Sequence, residues 1–215
     1  MRGPATCPRC GETLEPPGVW SSAWVCPAHG AVPPLLPVPQ PSAEWAHHVV
    51  RQATGPVLLP WPLPWGWVVS AVFAVGEPVT GIRGSAVALS GPNPLGGPAD
   101  LLVVVEEPGV GMGARFAGIP GPDPGDRLGA VPDLKLGVAG RLAPLWCLRD
   151  ARDQAAYVGE TEGRWLWIVL RPESAGHLLL EDLLLADLRE LGAEADLIPF
   201  GALPPWLAVP GPEPR

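Results

Sequence analysis

Pro60-Trp61-Pro62-Leu63-Pro64-Trp65-Gly66-Trp67-Val68-Val69-Ser70-Ala71-Val72-Phe73-Ala74-Val75 decides how the chain folds. From 52 to 76 no residue is charged, so the stretch is long enough to cross a bilayer of about 30 Å as a helix. Its prolines oppose that reading. Pro56, Pro60, Pro62 and Pro64 would each remove a backbone donor from one helix, and lipid offers no water in exchange. The sequence therefore divides into a stiff proline-aromatic approach, 60–66, and a strand, 67–75, apolar throughout and so buried on both faces.

Outward from that strand, short apolar runs alternate with Gly and Pro breakers at 82–89, 101–106, 131–138, 142–148, 155–159 and 165–170. Such spacing predicts a mainly antiparallel sheet. The 31 prolines and 27 glycines in 215 residues would suit disorder, but 47% hydrophobic residues and ten tryptophans supply enough apolar surface for a core. Two helices are expected. Ser42 offers an N-cap to 43–53, and 177–191 sets Leu180, Leu184, Leu188 and Leu191 on one face, with Gly192 as its stop.

The fold class expected is α+β: the paired Cys-Pro knuckles at Cys7-Pro8-Arg9-Cys10 and Cys26-Pro27-Ala28-His29 point to an N-terminal zinc ribbon, followed by the sheet domain with a C-terminal amphipathic helix. The divisions are 1–32 for the ribbon, 33–41 for a proline-rich connector, 42–203 for the sheet domain and 204–215 for a proline-rich tail. The connector is read as a spacer or as a strip laid over the next domain.

The ribbon rests on two matched pentads, Cys7-Pro8-Arg9-Cys10-Gly11 and Cys26-Pro27-Ala28-His29-Gly30. Each places two soft donors three positions apart, with Pro after the first and Gly after the second, where a tight turn needs φ > 0. Cys7, Cys10, Cys26 and His29 make a closed tetrahedral set suited to structural Zn²⁺, with iron as the competing ion. A thioredoxin-like pair would leave the Cys-x-x-His pentad unexplained, and a disulfide framework requires an oxidising compartment. The six residues before Cys7 leave no room for the apolar stretch of a secretory signal, so a cytoplasmic location is expected.

The net charge of −8 disfavours non-specific binding to nucleic acid or to an anionic membrane. Within the first 60 residues Arg2, Arg9 and Arg51 are balanced by Glu12, Glu15 and Glu44, so the ribbon carries no basic stripe. Between 173 and 196 seven acids face Arg189 alone, a local sum of −6. Such a face is ordinarily solvated, or else draws a basic partner. Exposed tryptophans on the stiff 60–67 segment would lose little entropy on docking, so a protein partner is the kind expected.

Residues 109–114, Gly-Val-Gly-Met-Gly-Ala, nominally fit Gly-x-Gly-x-x-Ala after a strand. A dinucleotide fingerprint needs a helix to begin there, whereas glycine and proline follow closely, so the segment is read as a connection, with a ligand loop at 109–113 as the alternative. Glu106 and Glu107 should point to opposite faces and so make a poor acid/base pair. Cys147 is expected to be buried packing, and His47 and His48 surface residues. No catalytic or cofactor-binding residue is assigned.

Several segments together resemble an uncharacterised family of small actinobacterial zinc-ribbon-like proteins, over nearly the whole chain. They are the Cys-Pro knuckles at Cys7 and Cys26, Pro60-Trp61-Pro62-Leu63-Pro64, Ser90-Gly91-Pro92, Pro94-Leu95-Gly96-Gly97, 109–118, Gly121-Pro122-Asp123-Pro124-Gly125 and 199–203. Some members carry the label phosphotransacetylase, which implies an acyl- or phosphoryl-transfer enzyme. That chemistry asks for anion-binding Arg, Lys or helix termini beside a Ser-rich loop, and the sequence displays neither.

Overall fold

A computed structural model describes residues 3–19, 21–77, 79–149 and 153–207. Trp20 and the last eight residues of the proline-rich tail lie outside that set. Two short strands near the N-terminus, β1 (Val25–Cys26) and β2 (Gly30–Ala31), form a hairpin. Everything else is organised by one nine-stranded sheet.

Its strands are β3 (Leu58–Pro60), β4 (Val68–Glu77), β5 (Gly81–Pro92), β6 (Pro98–Glu106), β7 (Leu134–Val138), β8 (Arg141–Cys147), β9 (Ala155–Thr161), β10 (Arg164–Arg171) and β11 (Leu184–Asp187). They lie in the order β3-β11-β7-β8-β9-β10-β6-β5-β4, and every pairing is antiparallel except β11 with β7. The sheet curls until β3, at one end, lies against β5 and β6. All seven apolar runs of the sequence fall on strands. One start is corrected: β7 begins at Leu134, not 131, because Pro132 lacks an amide and the Asp133 side chain accepts instead from the Cys147 amide.

Alternate residues of the central strands feed two cores. Val69, Val87, Leu101, Val103 and Ile168 line the inside of the curl, with Leu136, Val138 and Leu145 from its far arm. Phe73, Ala88, Leu102, Val104 and Trp167 face outward under a short helix, α2 (Met112–Ala117). As expected, β4 is buried on both faces. Among the described residues no helix is long and apolar enough to cross a membrane.

Helix α1 (Ala43–Gln52) forms as predicted, the Ser42 hydroxyl accepting from the Trp45 amide at 3.2 Å. The amphipathic helix expected over 177–191 does not form. Residues Glu173–Leu180 are a 3₁₀ helix, and Leu184–Asp187 is β11, hydrogen-bonded to β3 on one side and β7 on the other. The leucines do not share a face: Leu180 is 77% and Leu184 56% exposed, whereas Leu188 is buried. Ladder bonds to two strands outweigh the helical period of the leucines, a tertiary override of local preference.

The connector is a strip laid over the sheet. The Leu36 amide donates to the Ala74 carbonyl at 2.9 Å, and the Gly76 amide to the Pro34 carbonyl at 2.9 Å. Leu35, 1% exposed, fills the outer core between Thr6 and Val75. Farther along the same edge, Val69 bridges Phe200. The free side of β4 is thus paired by two other parts of the chain.

Candidate metal centre

Each pentad makes a tight turn on its own backbone. The Gly11 amide donates to the Cys7 carbonyl at 2.8 Å, and the His29 amide to the Cys26 carbonyl at 3.3 Å. Gly11 (φ +83) and Gly30 (φ +68) stand in the left-handed region, where the sequence places its glycines. A ladder between Glu15 and Val25, with bonds of 2.9 and 3.1 Å, clamps the two turns together. Cys7, Leu14, Cys26 and Val32 form a core of their own, edged by Trp24.

The turns bring Cys7, Cys10, Cys26 and His29 to one point, their ligand atoms all within 4.8 Å of one another. Cys10 Sγ and Cys26 Sγ are 3.7 Å apart, and His29 Nδ1 is 3.5 Å from Cys26 Sγ and 3.7 Å from Cys7 Sγ. A tetrahedron with metal–sulfur bonds of about 2.3 Å and metal–nitrogen bonds of about 2.0–2.1 Å has edges of about 3.8 Å between sulfurs and about 3.5 Å from sulfur to nitrogen. The donor set fits a tetrahedral divalent ion in chemistry and in spacing.

Burial pushes the Cys7 thiol up to about 12, its neighbours Cys10 and Cys26 adding to the rise while the Arg9 and Cys10 amides oppose it. At Cys26 burial also works upward, but the His29 ring and the Ala28 and His29 amides outweigh it and bring the thiol down to about 7. Amides aimed at sulfur favour the thiolate, the form that binds metal.

The ribbon is seated on the sheet through arginines. Arg9, inside the first turn, donates from Nη2 to the Gly109 carbonyl at 2.5 Å and from Nε to the Val110 carbonyl at 3.4 Å. The Trp24 indole donates to the Glu77 carboxylate at the end of β4. From the sheet side, Arg115 on α2 reaches back over Gly11. Burial holds its guanidinium below the ordinary value, against the upward pull of Cys10 and Cys7.

A helix does begin within the Gly-x-Gly-x-x-Ala segment, contrary to the connection expected. The group at its start is the chain's own carboxyl: Glu106, fully buried, accepts from the Met112 amide at 2.8 Å and the Gly113 amide at 3.0 Å. Burial pushes this carboxyl up to about 8, opposed by those two amides and reinforced by Asp123. Glycine is needed at 113 because a Cβ there would lie 2.1 Å from the Trp167 ring. Glu107 points away to Arg83 at 2.7 Å and Arg164 at 3.6 Å, so the two carboxylates part as predicted.

The remaining candidates are scattered. His47 lies 3.7 Å from Asp196, and His48 stacks on Trp45. Trp67 and Trp167 are core, Trp61 and Trp165 half-buried, and Trp65 is 92% exposed. Cys147 is half-buried rather than buried, at a cleft of about 370 Å³ that it lines with Tyr157, Glu173 and His177. Burial, then the charge of Asp133, pushes its thiol up, away from nucleophilic thiolate. Sequence reasoning missed Arg9, Arg115 and the role of Glu106; the one available signal was the glycine-rich segment, which reads as a connection and in fact opens a helix over a buried carboxyl.

Over residues 1–207 the chain matches the model of a family of unknown function (DUF6758). No curated protein matches it, and no solved structure does.

Proposed function

We propose the following reading for this chain, which belongs to that family of unknown function: a cytoplasmic zinc-binding protein whose ribbon holds a structural Zn²⁺ and whose sheet domain serves protein interaction or regulation. The observation that carries the metal half is the convergence of Cys7, Cys10, Cys26 and His29, whose donor atoms all lie within 4.8 Å of one another, three of the separations matching tetrahedral edges. Four protein ligands leave no position for water or substrate, so the ion acts as a staple rather than a catalyst. When bound it holds two turns that are otherwise joined by little more than the Glu15–Val25 ladder and a core of four side chains.

The interaction half is supported by Trp65, 92% exposed on a segment stiffened by Pro60, Pro62 and Pro64. A large aromatic held ready in solvent loses little entropy on burial in a partner. The transferase alternative fares worse. It requires a ligand at 109–113, where Arg9 takes the Gly109 and Val110 carbonyls and Glu106 takes the first amides of α2.

Elemental analysis of reductively purified full-length protein tests the metal half, with one zinc per chain expected. Affinity capture with the wild type and Trp65→Ala side by side tests the other half. A partner held by the first and released by the second supports it, and identical captures dismiss Trp65 as the contact. Thermal shifts with coenzyme A, acetyl phosphate and nucleotides address the alternative, since a ligand at 100 times its Kd stabilises by about 2.7 kcal/mol.

A further inference from the structure

We propose that Arg115 is the counter-charge of the metal centre, a positioning residue acting from outside the ligand set. The inference rests on the structural-ion reading above. Three thiolates and a neutral imidazole around a divalent ion leave one net negative charge. Arg115 supplies one positive charge from the element on which the ribbon sits.

The geometry is close. A Cβ at Gly11, the residue after Cys10, would lie 2.5 Å from Arg115 Nη2 and 2.9 Å from its Cζ. The guanidinium therefore occupies the space that any other side chain at 11 would need. Arg115 Nη1 is buried without a hydrogen-bond partner, and among the described residues no carboxylate forms an ion pair with Arg115. The Phe116 ring, 5.4 Å away, is its aromatic neighbour. A half-buried cation without an acid is costly unless another negative charge stands close by. Cys10 and Cys7 are the groups coupled electrostatically to it, and both become thiolates when a metal is bound. Arg9 does not fill this role, since its guanidinium is spent on the carbonyls of Gly109 and Val110.

Chelator competition on the zinc-loaded full-length chain tests the charge. R115M keeps length and loses charge; it should weaken zinc binding about tenfold, or about 1.4 kcal/mol. R115K should stay within about threefold of wild type, because the charge is kept. In a C10H background the cluster carries two thiolates and is neutral, so R115M should there change affinity by less than about twofold. An R115M variant that binds as wild type, or that loses as much in the C10H background, overturns the proposal and leaves Arg115 as packing. Should R115M not fold, alkylation of the exposed Cys10 in the zinc-loaded chain decides: the bound sulfur is already a thiolate, so R115Q, which removes the cation that damps its nucleophilicity, should raise the rate about tenfold and R115K leave it near wild type, and equal rates refute the charge role. Stoichiometric zinc in wild type with unaltered R115M removes Arg115 alone, whereas wild type without stoichiometric zinc removes the structural-ion reading itself.

Discussion

Arg9 and Gly109 stand 100 positions apart in the chain and are joined by a hydrogen bond of 2.5 Å from guanidinium to carbonyl. The bond ties the Cys-x-x-Cys turn to the loop that leads into α2. Arg9→Met should release that tie at a cost of about 1.5–3 kcal/mol, the range for hydrogen bonds from charged groups. Amides of 109–118 should exchange faster while zinc stoichiometry holds at the wild-type value. Unchanged exchange there would show that the ribbon is seated by other contacts.

Metal removal should act on the ribbon before the sheet. Cys26 is 1% exposed and shares edges with two other ligands. Cys26→Ser, or chelation of the wild type, should abolish stoichiometric zinc and the protection of residues 5–32, leaving the far-ultraviolet signature of the sheet nearly intact. Loss of the whole circular-dichroism signal at the same chelator concentration would mean that the sheet depends on the ion too.

Glu106 predicts a pH dependence with a definite sign. Its carboxyl is pushed up to about 8, against about 4.3 for an exposed glutamate. Between those values the folded chain keeps a proton that the unfolded chain has released, so this contribution is greatest below about pH 4.3 and falls as pH rises towards about 8. Wild type should lose on the order of 2–3 kcal/mol relative to Glu106→Gln between pH 6 and 8, by urea denaturation at each pH. A difference between the two proteins that stays flat with pH would contradict the burial of a protonated carboxyl.

Gly113→Ala places a methyl group where the Trp167 ring lies 2.1 Å from the Cβ position. Trp167 is fully buried in the outer core and has no room to retreat. Stability should drop by roughly 1–3 kcal/mol, as overpacked cores do, read from the denaturation midpoint at constant slope. Gly109→Ala would test only the turn, since nothing lies near its Cβ position.

Much of this molecule is legible in the order of its residues. Seven strands were marked by short, mostly apolar runs between Gly and Pro, and α1 by Ser42 and its apolar stripe, because those signals are local. The convergence of Cys7, Cys10, Cys26 and His29 was marked by spacing, since a Cys-x-x-Cys turn brings its side chains together whatever surrounds it. What escaped is mostly non-local. Leu184–Asp187 reads as helix until β3 and β7 are known to flank it, and Leu58–Pro60 hides in proline-rich sequence for the same reason. Arg9 and Arg115 carry no motif, because their neighbours lie about 100 positions away, whereas Glu106 meets amides only six and seven residues on, at a helix start that the sequence did not reveal.

The pairing of residues 34–36 with the rim of β4 has a practical consequence for anyone trimming this protein. A fragment starting at α1 would keep most of the interior yet uncover part of a ladder of unsatisfied amides and carbonyls beside Val75. Such a truncation invites self-association and sticky, fibre-prone material, because residues 34–36 cover an edge that would otherwise be open to another copy.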